Sequence, residues 1–96
     1  MHAVIRTYSG KGAAELFAFL AKHKGEIEQE FRKINGFVSY SLIATEDGGV
    51  SVTVSKTKTA TNKSATVARD WLANNAAAMK FKAPKSAAGK VLIHAV

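Results

Sequence analysis

The sequence predicts an α+β fold in the order β-α-β-β-α-β, and three observations carry that reading. An apolar stripe at helical spacing runs through the first third of the chain, a strictly alternating Val/Ser/Thr segment lies at its centre, and β-branched runs occupy its two ends.

Residues 2–8 mix aliphatic and β-branched side chains with Tyr8, a strand composition, and Ser9-Gly10-Lys11-Gly12 then supplies a turn. Between 15 and 34, Leu16, Leu20, His23, Ile27, Phe31 and Ile34 recur at steps of three and four, one stripe along a helix that Phe17 and Phe19 widen. Gly25 inside that stripe predicts a kink or a break, and Asn35-Gly36 ends it. Residues 37–45 and 50–57 flank Glu46-Asp47-Gly48-Gly49 and read as a β-hairpin. Thr59 or Thr61 is expected to cap a second helix whose inward stripe is Ser64, Val67, Ala68, Trp71, Leu72, Asn75 and Met79. That helix fades before Pro84, and residues 89–96 form the last strand.

These elements make a ferredoxin-like four-stranded antiparallel sheet with the helices on one face and the first and last strands side by side. Setting His2 opposite His94 brings Val4 to Leu92 and Arg6 to Lys90, and leaves Ala3, Ile5, Val91 and Ile93 as the aliphatic set expected under the helices. The other face then carries Val4, Tyr8 and Leu92 beside Ser51 and Thr53. A patch this apolar predicts that a second copy covers it. For residues 37–45 the pattern leaves both faces open, because Phe37/Ile43 and Val38/Leu42 are both apolar sets.

Ninety-six residues suit one domain, 1–96, and 47% apolar with 22% charged residues is a folding composition. The absence of cysteine excludes disulfides, thiolate metal sites and cysteine nucleophiles. Ala3 to Ile5 before Arg6 is too short for a signal-peptide core and no segment reaches membrane-span length, so a cytoplasmic protein is expected. The net charge of +7 is uneven: residues 1–49 hold six basic and six acidic side chains, residues 50–96 eight basic ones and only Asp70. This reads first as a solvated lysine-rich face. RNA-recognition modules of the same element order stack bases on central-strand aromatics, and Val50 to Ser55 contains none, which argues against sequence-specific nucleic-acid binding.

AVIRTY in the first strand, GFVSYSLI and DGGVSVTVS in the hairpin, Ser64 six residues before DWL in the second helix, and GKVLIHAV at the end together resemble the antibiotic biosynthesis monooxygenase family. The resemblance implies a homodimeric α/β barrel with a small pocket between sheet and helices in each subunit. Members of that family include cofactor-free oxygenases of aromatic substrates and haem degraders. It also implies that Trp71 occupies the position family enzymes set against substrate. Two departures accompany it: active members pair this tryptophan with an asparagine one helical turn earlier or on the first strand, but here position 67 is Val67 and the first strand has no asparagine, leaving Asn75 a turn later as the nearest substitute, and Phe81 and Lys82 stand where the haem branch needs a histidine.

The residues themselves give a candidate pocket. Trp71 offers an aromatic face and an indole donor, Tyr8 and Tyr40 offer hydroxyls that could orient a phenolic ligand, Arg6 could hold an anionic oxygen, and His94 could add an imidazole. Two histidines, His2 and His94, without a third ligand make a poor zinc site, and His23 lies elsewhere, so no metal is expected. Gly10-Lys11-Gly12 lacks a phosphate-binding pattern and no serine sits in a nucleophile elbow. The expectation is a homodimer that binds a small aromatic ligand without a cofactor, either oxygenating it or serving as a non-catalytic binding or stress-response module.

Overall fold

The computed structural model describes residues 1–96 and orders them as β1 (His2–Ser9), α1 (Ala13–Lys22), α2 (Lys24–Arg32), β2 (Phe37–Thr45), β3 (Gly48–Ser55), α3 (Lys58–Asn75) and β4 (Lys85–Lys90). The sheet runs β2-β3-β1-β4, antiparallel throughout, which is the expected ferredoxin-like arrangement.

The long first helix is broken, as Gly25 suggested, but the break falls at His23. There φ is −114°, and the backbone N–H of His23 closes α1 on the Leu20 carbonyl while its own carbonyl accepts from Ile27. Both halves keep the stripe: Leu16, Phe17 and Leu20 from α1 and Ile27 and Phe31 from α2 are buried in one cluster with Tyr8 and Ile34. Each such side chain contributes roughly 1.5–3 kcal/mol by leaving water. The cap of α3 is Thr57, two residues before the earliest expected position. Its Oγ1 accepts the Ala60 N–H at 3.1 Å, and its extended backbone is the geometry an N-cap requires.

The last strand departs most from expectation. It spans 85–90, so His2 pairs with Lys90, not His94, Val4 with Ala88, not Leu92, and Arg6 with Ser86, not Lys90. The partners on β1 are used up at Val91, whose N–H reaches the Met1 carbonyl. Beyond it Leu92 and Ile93 are 89% and 86% exposed. Strand propensity in VLIHAV is real, but a strand needs a ladder to join, and ladder bonds to β1 draw in the weaker Ser86-Ala87-Ala88 instead.

The two faces are also exchanged relative to expectation. Val4, Arg6 and Tyr8 are buried beneath the helices with Ser51, Thr53 and Ser55, whereas Ile5 lies on the open face at 41% exposure beside Val52 and Ala87. Gly49 supplies the physical reason. It pairs with Tyr8, and a Cβ there would overlap the Phe17 ring, so Phe17 can pack on the sheet only if the Gly49 parity of β3 faces the helices. Val50 and Val52 must then point the other way. In β2 a bulge between Phe37 and Ser39 resolves the ambiguous pattern, because the extra residue lets Phe37, Tyr40 and Leu42 all pack against the helix-side core while Ile43 stays on the open face, 50% exposed. No helix is long and apolar enough to cross a membrane.

Candidate functional site

Exchanging the faces puts unusual chemistry beneath the helices. The β1 residues Arg6 and Tyr8, the β2 residues Tyr40 and Leu42, and Ser51 of β3 form the floor of a cavity. Its roof is Leu20 of α1, Ile27 and Phe31 of α2, and Ala68, Trp71 and Leu72 of α3. Its volume is about 30 Å³, room for a water molecule or two rather than a ring. Ile27, Tyr40 and Leu42 also line a larger groove of about 390 Å³ on the outer side of α2 and β2, so these three side chains are the partition between cavity and surface.

Of the six expected pocket residues, Trp71, Tyr40, Tyr8 and Arg6 converge on this cavity. Asn75 and His94 do not. Asn75 is exposed on an outer groove, where its Nδ2 donates to the Trp71 carbonyl one turn back at 2.9 Å, which ties one amide donor to its own helix. His94 lies in the chain beyond β4, since the ladder that was to carry it ends at Lys90.

Trp71 is held from two sides. Its indole N–H donates to Glu26 Oε1 at 3.2 Å, and Glu26 Oε2 lies 3.4 Å from His23 Nδ1. The Phe19 and His23 rings pack against the indole at centroid distances of 6.0 and 5.8 Å. The donor that Trp71 was expected to offer a ligand is thus committed to α2, and what it presents to the cavity is ring. Nothing in the sequence signals this bond, because its partners stand 45 residues apart. Phe31 reads in the sequence only as a core residue; in the structure its ring stacks on Tyr40 with centroids 4.2 Å apart and planes 18° from parallel.

Both tyrosine hydroxyls are kept protonated. Burial pushes Tyr40 up to about 12, with the neighbouring Tyr8 adding to the rise and Arg6 opposing it. Burial also raises Tyr8, again against Arg6. These phenols are donors and acceptors, not bases, at neutral pH. Arg6 is the only charged residue lining the cavity. It is 9% exposed, makes no side-chain hydrogen bond within the chain, and takes part in none of the four ion pairs, all of which join exposed or half-exposed partners. No group of three or more His, Cys, Asp or Glu side chains is placed to hold a metal.

No protein-family model and no curated protein matches the sequence. Solved structures do match its shape. A monooxygenase from the ActVA-Orf6 gene of Streptomyces coelicolor, solved with nanaomycin D, is 18% identical and superposes over 99% of this chain and 90% of its own with a TM-score of 0.70. A mutant of MhuD, solved with two manganese protoporphyrin IX molecules per active site, is 15% identical over 99% and 97% of the two chains, with a TM-score of 0.68. A Nitrosomonas europaea protein described as an antibiotic biosynthesis monooxygenase is 16% identical over 97% and 100%, with a TM-score of 0.64. At these identities the likeness is one of architecture, and the chain has the ferredoxin-like fold that these monooxygenase-like structures share.

Proposed function

We propose that this chain is a small-ligand-binding protein of the antibiotic biosynthesis monooxygenase-like family, a single domain that takes a planar, largely apolar ligand in the cavity beside Trp71. The observation that carries the reading is the convergence of an anchored indole, a stacked Phe31–Tyr40 pair and Arg6 on one space walled otherwise by aliphatic side chains. Similar structures solved with nanaomycin D and with a porphyrin support it by analogy of fold. Because the cavity is narrow, a ring is admitted as Ile27 and Leu42 give way toward the outer groove, while Trp71 and the Phe31–Tyr40 pair stay as its walls.

In the oxygenase form of this reading, the chain contributes burial and orientation to a ligand that reacts with oxygen directly. The second form, a non-catalytic binding module, is favoured by one observation: no carboxylate or imidazole lines the cavity to remove a proton. The protein works as a cytoplasmic homodimer in either form, its open sheet face of Ile5, Ile43, Val50 and Val52 covered by the same face of a partner. As Trp71 is the only tryptophan, its fluorescence titrated with planar aromatic compounds tests binding, and oxygen uptake in the same cuvette separates the two forms. Emission that stays unchanged across a panel of such compounds contradicts the pocket.

A further inference from the structure

We propose that the ligand of this cavity is an aromatic carboxylate, its ring against Trp71 and its two oxygens on the guanidinium of Arg6; this rests on the cavity being a ligand site, as argued above.

Arg6 is only 9% exposed, is the one charged residue on the cavity lining and has no acidic partner in the chain, so its guanidinium has no internal counter-charge. Buried arginines are ordinarily paired. Here every acidic side chain that forms an ion pair does so on the surface with some other residue, and those pairs leave Arg6 alone. The apolar lining around it supplies no counter-charge, so an anion that enters gains the interaction the chain lacks.

The kind of anion follows from the neighbours. Arginine presents a planar fork of donors that matches a carboxylate through two parallel hydrogen bonds. Tyr8 and Tyr40 stay protonated beside it and can add donors to an acceptor-only group. A phenol would have to be ionised first, and no Asp, Glu or His lines the cavity to do so; a carboxylic acid arrives ionised at neutral pH. The stacked Phe31–Tyr40 pair and the indole favour a flat ring for the remainder of the molecule.

The probes are 4-nitrobenzoate and its neutral counterpart of the same shape, 4-nitrobenzamide, titrated into the full chain at pH 7 while Trp71 emission is followed. The wild type is expected to bind the benzoate about tenfold or more tightly than the benzamide, the scale of one charge-assisted pair. In Arg6→Met that preference disappears, because the benzoate loses far more affinity than the benzamide, whose neutral carbonyl gives up only an ordinary hydrogen bond. Arg6→Lys, which keeps the charge but not the fork, retains part of the preference and serves as the deciding variant if Arg6→Met does not fold. Equal wild-type affinity for the two probes overturns the carboxylate assignment and leaves the pocket standing. A preference that persists undiminished in both variants places the anion on surface lysines and also overturns it. No response of Trp71 to either probe removes the pocket itself.

Discussion

At the residue scale, burial beneath the helices extends the pH range over which the cavity's tyrosines stay protonated. Tyr40 is pushed up to about 12, above the ordinary tyrosine value near 10, so the folded chain retains a proton that the unfolded chain releases. Stability from this source is fully present below about pH 10 and is lost as pH rises from there through about 12. Tyr40→Phe should therefore flatten the alkaline fall in urea-measured stability by up to about 1.4 kcal/mol per pH unit, the slope of one proton, while Tyr8 keeps a residual fall. An unchanged slope would mean that Tyr40 is not shielded by the helices. Glu26 acts at the same scale through its bond to the Trp71 N–H. Glu26→Ala removes the acceptor, and the indole should become more accessible to acrylamide quenching and bind planar ligands several-fold more weakly, with little loss of stability because Glu26 itself is exposed. Unaltered quenching would show that ring packing from Phe19 and His23 alone fixes Trp71.

At the scale of elements, the glycine in β3 decides which side of the sheet meets the helices. Gly49→Ala places a methyl group inside the Phe17 ring, and the expected cost is about 1–3 kcal/mol, with a melting temperature lowered by several degrees. The double variant Gly49→Ala/Phe17→Leu should lose less stability than the two single variants together, since the smaller side chain relieves the clash. Additive losses would place Gly49 away from Phe17. This contact also marks how far the sequence could be read. Element order, the broken first helix and the alternation in β3 were legible because each depends on local spacing. The choice of faces depended on weighing an aliphatic set, Ala3 and Ile5, against a mixed one, Val4, Arg6 and Tyr8. Hydrophobicity alone favours the wrong answer. The decisive signal, a glycine adjoining a valine run, was present but gains meaning only once Phe17 is seen above it. The register of β4 was illegible for another reason: VLIHAV has the stronger strand composition, and only the length of β1 shows that Lys85 to Lys90 fill the ladder. Within the site, Trp71, Tyr40, Tyr8 and Arg6 could be nominated by residue type, whereas the Glu26 bond and the isolation of Arg6 are long-range facts that no spacing encodes.

At the scale of the whole molecule, the sheet has two dissimilar sides. The helix side holds a cavity with a lone cation, and the opposite side shows Ile5, Ile43, Val50, Val52 and Ala87 with the apolar residues Leu92 and Ile93 trailing beyond β4. A small domain has little core to spare, and leaving a face of this composition in water is unfavourable. The most direct test of the two-sided sheet is sedimentation equilibrium at micromolar concentration on the wild type and on Val52→Glu, which sets a carboxylate in the middle of the open side. The wild type should sediment as a dimer and Val52→Glu as a folded monomer with unchanged far-ultraviolet circular dichroism; a wild type that stays monomeric over the whole concentration range would contradict it.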